Sequence, residues 1–443
     1  MVLTVGAARA VITPPVGIPM SGYVGRGPAL DVHDDLSVTA VVLSETSRSG
    51  LRHAIVTLDL IGLYSDDLVR TLKTAVQAAC GIHPDHIHLS CSHTHYGPVV
   101  AAHGDMPGGE HPLAEAYRRE LAQTVARCVE EADAARAPAT VHAGRGQSHL
   151  GVNRRLPTPD GIRLAPNPAG DADPELLVLR FRPTRDDVDA GESEPPPIAT
   201  LVNYACHPSS LGAAAQSISS DFVGAMRRRL EQSGGGMTLF LQGAAGDIDP
   251  VSKGADWSIA DAAGELLAED VALASRQEAL VAGPLMSSRA VIAVPRGGAQ
   301  SVAAVEAELV DLRRRMAALA HDDDSRRWWL DIKISESIAK LEALRAGMVP
   351  NIDAEISAIR LGDSAIAFVP AELFSSLGRM IKDESPFAHT MVVGYTDGML
   401  WYVPTRSAFA EGGYEVKDAC RVAPGAGELI VARVLELLEA LSD

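Results

Sequence analysis

The chain has 443 residues, 47% of them hydrophobic, and a formal charge of −18 from 57 acidic and 39 basic residues. That sign repels phosphate backbones and argues against nucleic acid as a partner. No apolar run reaches the roughly 18 residues of a membrane-crossing helix, so stable membrane insertion is not expected.

Met1 leads almost directly into a Val-Gly-Ala-Ala-Arg9 start, which lacks the basic opening and long apolar stretch of a secretory signal. A cytoplasmic protein is expected. The five cysteines, Cys80, Cys91, Cys128, Cys206 and Cys420, have no paired spacing. Free thiols in a reducing compartment fit better than a disulfide framework.

The Pro-Gly-rich segment from Thr13 to Tyr23 reads as irregular backbone. Strand-like apolar runs then alternate with helical patterns. Leu51 to Leu63 reads as a buried strand, Asp66 to Ala79 as a helix, Ile87 to Cys91 as a strand and Leu113 to Ala134 as a long helix. Strands follow at Glu175 to Phe181 and Ile198 to Ala205. A helix from Phe222 to Gln232, a strand from Met237 to Gln242 and a helix from Ser258 to Ala274 complete this half. Strands alternating with helices predict an α/β fold, a mixed sheet core flanked by helices.

Ser301 to Met348 is different: rich in Ala, Leu, Glu and Arg, with helical periodicity and a break at His321 to Ser325. The run Asp322 to Ser325 would cap a second helix carrying Trp328 and Trp329. This is an inserted helical hairpin, either a packed excursion, a lid or a contact in a homo-oligomer. After it, strands are predicted at Ile352 to Leu361 and Ser364 to Val369, a helix from Glu372 to Lys382, a strand near Met391 and a closing helix from Gly427 to Leu441. Length alone suggests two or three domains. With no long linker, one catalytic unit spanning 1–443, with the hairpin at about 301–348 inserted, is the simplest organisation.

Chemistry concentrates at strand ends. The run Ser90-Cys-Ser-His93-Thr-His95-Tyr-Gly-Pro98 puts two imidazoles where a strand runs out into a loop. On a regular strand they would point to opposite faces, and a single metal ion would take one of them. His207, followed by a proline, repeats that placement at the exit of the strand Ile198 to Ala205. Histidines at strand ends can converge at one edge of a sheet. Zinc takes neutral imidazole nitrogens plus a carboxylate, with a position left for water. Glu372, after an apolar strand, is a candidate carboxylate. As a lone residue it reads better as complementing a helix dipole, and the histidines equally read as ordinary strand-end residues. The run Gln242-Gly-Ala-Ala-Gly-Asp247-Ile-Asp249-Pro lacks the lysine and spacing of a phosphate loop. Cys91 and Cys206, each near a candidate histidine, read better as small buried side chains than as nucleophiles.

Taken together in chain order, these motifs resemble the zinc-dependent catalytic domain of the neutral (non-lysosomal) ceramidase family. The resemblance is carried by Gly6-Ala-Ala-Arg9-Ala-Val-Ile-Thr13 with Met20-Ser-Gly22-Tyr23, by His93-Thr-His95-Tyr-Gly97-Pro98, Asn153-Arg154, His207-Pro-Ser-Ser210 and Ser219-Ser-Asp221. It continues in Gly246-Asp247-Ile-Asp249-Pro250, Pro370-Ala-Glu372, and Tyr402-Val-Pro-Thr405 with Tyr414-Glu415 further on. It implies Zn2+ held by His93, His207, Glu372 and Tyr402. His95 would handle protons beside the metal, and Arg154 and Tyr414 would orient or polarise the scissile carbonyl. Gly22 and Asp249 would lie against the substrate. The implied activity is amidohydrolysis of an N-acyl substrate, ceramide-like or another small amide, by metal-activated water. An esterase, a lactonase, a cyclising enzyme on the same site and a non-catalytic binding homologue remain open alternatives.

Two departures stand out. Where the family pattern has a serine, this chain has Asp249, which excludes a serine acyl-enzyme there. The chain also ends soon after the tyrosine motif, so the C-terminal immunoglobulin-like domain of full-length ceramidases is expected to be absent.

Overall fold

Side chains along the Ser37–Glu45 strand alternate between two apolar clusters: Val38, Ala40 and Val42 enter one, Val41 and Leu43 the other. That is the two-residue period of a strand buried on both faces. The computed structural model describes residues 3–45, 51–101, 110–184, 195–299, 301–319 and 324–442. It extends this rule over two facing sheets.

The larger sheet runs Met237–Gln242, Ala199–Tyr204, Glu175–Pro183, Ala137–Gln147, Leu3–Val11, Ser37–Glu45, Arg52–Leu58, Ile87–Cys91, and Ala279–Val281 also pairs with Ala137–Gln147. Its outermost pair at each edge is parallel and the pairs between are antiparallel. The smaller sheet runs Leu285–Pro295, Asn351–Leu361, Ser364–Phe368, His389–Val393. The two meet across a shared core that includes Leu43, Ile55, Leu201, Leu239, Ile359, Phe368 and Met391.

Helices cover the outer faces. Asp66–Cys80 and Pro112–Ala134 pack on one half of the larger sheet, Asp221–Gln232 and Ser258–Ser275 on the other. Ser375–Glu384 and Ala426–Ser442 pack on the smaller sheet. The architecture is therefore mixed α/β, a large mixed sheet flanked by helices, as the sequence predicts.

Two expectations change. The strands Leu3–Val11, Ser37–Glu45, Ala137–Gln147 and Leu285–Pro295 are absent from the sequence reading, and three of them form the antiparallel middle of the larger sheet. Ala137–Gln147 hides its strand behind Pro138, Gly144 and Gly146. At Gly144 a Cβ would lie 2.6 Å from the carbonyl oxygen of Ala274, so the close approach of the Ser258–Ser275 helix requires glycine. Glu372, predicted to open a helix, instead lies in the two-residue strand Glu372–Leu373, parallel to Tyr402–Val403; the helix is Ser375–Glu384.

The predicted hairpin consists of Val302–Ala318 and Asp324–Arg345, joined along Val305, Leu309 and Leu341. It is inserted at the end of the ladder between Leu285–Pro295 and Asn351–Leu361, which runs to the pair Pro295 and Asn351. The predicted break falls largely on 320–323, outside the described residues, as do the side chains of Asp324, Ser325 and Trp328.

The edges of the larger sheet are brought together and joined without closing as a barrel. The Gln242 amide donates to the carbonyls of Ser92 (3.2 Å) and Cys206 (2.7 Å), so one side chain from one edge reaches the exits of two strands. The segment Gly394–Asp397 fills the seam. Gly394 N donates to Gln242 O (2.9 Å), Cys91 N to Tyr395 O (3.1 Å) and Asp397 N to Leu89 O (2.9 Å). Lys73, nearly buried, holds this segment from the other side through Asp397 at 3.1 Å.

Candidate metal centre

The seam explains how far-apart residues meet. His93 follows the edge strand Ile87–Cys91 and His207 follows Ala199–Tyr204 near the opposite edge, yet their ring centroids are 4.7 Å apart. Their loops are bonded directly, His95 N donating to Pro208 O (3.1 Å) and Ser219 N to Tyr96 O (3.1 Å). Asp221 secures the second loop by accepting from Ser210 N at 2.8 Å and Ser210 Oγ at 2.5 Å.

His93 has φ 68°, in the left-handed region. That break in the strand removes the alternation, and His93 and His95 turn to the same place, with ring centroids 5.0 Å apart. The expectation that one of the pair must face away fails for this reason. His93, His95 and His207 can each present a ring nitrogen within 4.8 Å of the others. Among the described residues, the other non-glycine positions with positive φ are Asp221, Tyr395, Asp397 and Trp401. Each costs about 1–3 kcal/mol and is sustained by the packing around it.

Two further side chains complete the cluster through the Glu372–Leu373 and Tyr402–Val403 pairing, whose register sets Glu372 beside Tyr402. Glu372 Oε2 lies 3.3 Å from His93 Nε2 and 3.4 Å from His207 Nε2. Tyr402 Oη lies 3.5 Å from His207 Nε2. His93, His207, Glu372 and Tyr402 are buried and His95 is partly exposed.

The protons are assigned by the neighbours. His93 Nδ1 sits 2.5 Å from Ile61 O, and His207 Nδ1 2.7 Å from Ala245 O. A carbonyl only accepts, so both Nδ1 atoms carry the hydrogen and a neutral ring offers a bare lone pair at Nε2. Those lone pairs face the Glu372 carboxylate. Although the distances would suit ion pairs, His93 Nε2 and Glu372 Oε2 have no hydrogen-bond partner among the described residues, nor does either nitrogen of His95. Buried acceptors facing one another are repulsive unless a positive charge lies between them.

The electrostatics agree with that donor set. Burial, then the charge of Arg154, pulls the His207 imidazole down to about 4, and burial pulls His95 well below its ordinary value. Both rings are neutral ligands or bases at pH 7. Burial works to raise the Glu372 carboxyl, and positive charge on the His93 and His207 side outweighs burial and holds it below the usual range; with both rings neutral, a cation between them would have to supply that charge. Burial pushes the Tyr402 phenol well up, with Arg154 opposing it. These residues fit a divalent cation: imidazole lone pairs, a carboxylate and a phenol beside a guanidinium.

Arg154 is buried with most donors engaged: Nε to Glu415 (3.0 Å), Nη1 to Asp249 (3.2 Å), Nη2 to Gly246 O (2.9 Å) and to Tyr402 Oη (3.0 Å). Its strongest link to the cluster is thus through the Tyr402 oxygen. Asp249 also pairs with Lys253 at 2.8 Å, so it stands at the rim between two cations. Tyr414 is 42% exposed, its ring 5.7 Å from that of Tyr402. Gly22, at φ 98°, runs so close to His95 that a Cβ would lie 2.7 Å from the His95 Cα.

Several neighbours gain no role in the site from the sequence, although Tyr23 stands in one of its motifs and Trp329 in the predicted hairpin. Arg26 donates to His95 O at 2.6 Å, Tyr23 lies 5.0 Å from the His95 ring, and Trp329 of the hairpin lies 5.3 Å from Trp401. Tyr395, 4.2 Å from the His93 ring, lies in no motif the sequence singles out, and Gln242 reads as the start of a glycine-rich run. Cys91, Cys128 and Cys206 are buried free thiols, and burial raises all three, as a packing role requires.

No protein-family model matches the chain, and the search of curated proteins gives no match. Solved structures do. Neutral ceramidase from Pseudomonas aeruginosa matches with a TM-score of 0.75 and 19% identity over 100% of this chain and 74% of that one. A ceramidase complexed with C2 matches with a TM-score of 0.74 and 18% identity over 100% of this chain and 75% of that one. At that identity the likeness speaks for the backbone: over its whole length this chain has the neutral ceramidase fold.

Proposed function

We propose that the chain is a metal-dependent amidohydrolase that cleaves the amide bond of an N-acyl substrate, with zinc as the resident cation. What carries this is the gathering of buried ligand atoms from His93, His207, Glu372 and Tyr402, in which His93 Nε2 and Glu372 Oε2 stand 3.3 Å apart with no hydrogen-bond partner among the described residues. The fold shared with ceramidases supports the amide as the bond attacked.

His93 and His207 would hold the ion through Nε2, their Nδ1 protons fixed on backbone carbonyls. Glu372 supplies negative charge, and Tyr402 an oxygen whose ionised form Arg154 stabilises at 3.0 Å. When bound, a dication supplies Lewis acidity, activating water and polarising a carbonyl. His95 is the one of the three imidazoles on a partly exposed residue, with both ring nitrogens buried and without a hydrogen-bond partner among the described residues, and the ring held neutral. It therefore accepts a proton from the attacking water and returns it to the departing amine. Tyr414, at the rim, directs its hydroxyl to the substrate carbonyl, a donor worth roughly 3 kcal/mol in such positions. The small amide is drawn in beside Asp249 and Gly22. Five free cysteines support a reducing, cytoplasmic setting.

Metal analysis with a panel of N-acyl amides tests this. His93→Ala and His207→Ala lose zinc and hydrolysis together. His95→Gln keeps zinc while turnover falls about 10²–10⁴-fold. Full turnover by a chelated, metal-free preparation sinks the proposal.

A further inference from the structure

Tyr395 is costly in two ways that nothing above accounts for. Its φ is 56°, a left-handed conformation that costs a bulky residue about 1–3 kcal/mol. Its side chain is fully buried, and its hydroxyl has no hydrogen-bond partner among the described residues. A buried, unsatisfied hydroxyl costs about 1–3 kcal/mol more. Phenylalanine would fill almost the same space without the second cost.

The backbone is held on both sides, Tyr395 N donating to Ala371 O (3.2 Å) and Tyr395 O accepting from Cys91 N (3.1 Å). These bonds set the ring against His93, centroids 4.2 Å apart and planes 34° from parallel. A phenol, with an ordinary pKa of about 10, is a neutral hydroxyl at pH 7 and has a proton to donate. Glu372 Oε2 lies 3.3 Å from Nε2 of the same His93 ring, and is itself buried with no hydrogen-bond partner among the described residues.

We propose that Tyr395 is a positioning residue of the metal centre: its ring braces His93, and its hydroxyl is the hydrogen-bond donor reserved for the Glu372 carboxylate in the metal-loaded protein. This presupposes that the cluster binds a cation. A carboxylate has about four lone-pair positions and an ion uses one or two, so a donor on the remainder fixes the ligand's orientation. Such outer partners commonly change metal affinity 10–100-fold.

The test is Tyr395→Phe and Tyr395→Leu in the full chain, with zinc affinity measured by competition against a chelator and melting followed with and without zinc. Metal-free Tyr395→Phe should melt at or above the wild-type temperature, because the orphan hydroxyl is gone. Its zinc Kd should be 10–100-fold weaker and its zinc-induced rise in Tm smaller. Tyr395→Leu, which also loses the brace, should bind zinc more weakly still. Wild-type zinc affinity in Tyr395→Phe overturns the assignment and leaves the metal centre standing. Equal destabilisation of the metal-free and metal-loaded forms also overturns it, by showing a packing role alone. A wild-type chain that takes up no zinc overturns the metal centre itself, and the assignment with it.

Discussion

Glu415 is a fully buried carboxylate between two buried guanidiniums, 3.0 Å from Arg154 Nε and 2.8 Å from Arg155 Nη1. Neutralising it would leave two cations in a dry site with too few partners, and Arg154 would lose the anchor that sets it against Tyr402. Removing one partner of a buried pair typically costs about 3–5 kcal/mol. Glu415→Gln should therefore lower the unfolding free energy by about 3–5 kcal/mol, seen as a lower urea midpoint, and reduce zinc retention, both readable on one purified variant. Gly22→Ala acts differently. The new Cβ would collide with His95 at 2.7 Å, displacing a proton carrier without touching the buried ligands. A misplacement of about 1 Å can lower turnover about 100-fold, and zinc content should stay at the wild-type level. Loss of zinc in Gly22→Ala would show that His95 is itself needed to hold the ion. At this scale the sequence was informative where residue type carries the chemistry: His93, His207, Glu372 and Tyr402 meet in one cluster. Tyr395 and Gln242 were not legible, because their importance lies in a backbone angle and in a reach across a seam.

Strand identity was legible where apolar runs are unbroken and lost where the chain has to accommodate a neighbour. Met237–Gln242 reads directly from its sequence, whereas Ala137–Gln147 carries a proline and two glycines that fit its contact with the Ser258–Ser275 helix. The Glu372–Leu373 and Tyr402–Val403 pair is two residues long, below the length at which period gives a signal. The helical hairpin was found because it has no such conflict. Its own small core, Val305, Leu309 and Leu341, is separate from the cores between and outside the sheets. It reaches the site region through Trp329 on Trp401, and through Glu336 at 3.0 Å from Arg421. Replacing 299–348 with a short glycine turn should leave a cooperatively melting protein that still binds zinc, since Pro295 and Asn351 already pair. KM should rise, as the wall built on Trp401 loses its support. A replacement chain that fails to fold would show the hairpin to be structural to the whole.

At the scale of the molecule, buried imidazoles away from the metal centre contribute to the response to acid. His53, His86 and His88 line the inner face at the end of the larger sheet, with ring centroids 4.6 Å apart for His53 and His86 and 6.1 Å for His53 and His88. Burial lowers His53 to about 3, and lowers His86 and His88 as well, with neighbouring histidines adding to it. A depressed histidine binds its proton more readily in the unfolded chain. Its contribution is thus fully present above about pH 6.5 and is lost as pH falls towards the folded value. Each such group removes up to about 1.4 kcal/mol per pH unit in that window. Asp221 and Asp247, raised to about 6 by burial, act in the opposite sense between about pH 6 and 4. Comparing His53→Phe with wild type isolates the imidazole: the variant's stability should fall less steeply between pH 6.5 and pH 3. Parallel curves would refute the assignment.

The seam filled by Gly394–Asp397 has a further consequence. A sheet margin exposed to water offers unpaired amides to any passing chain, and is a common starting point for aggregation. Here that one short stretch occupies a carbonyl on one margin of the larger sheet and an amide and a carbonyl on the other. It thereby helps shield them from intermolecular strand addition, as well as carrying the Tyr395 ring to His93. Loosening it through Lys73, for instance by Lys73→Met, should make the chain cluster on mild heating before it unfolds globally, which light scattering beside a melting curve would reveal.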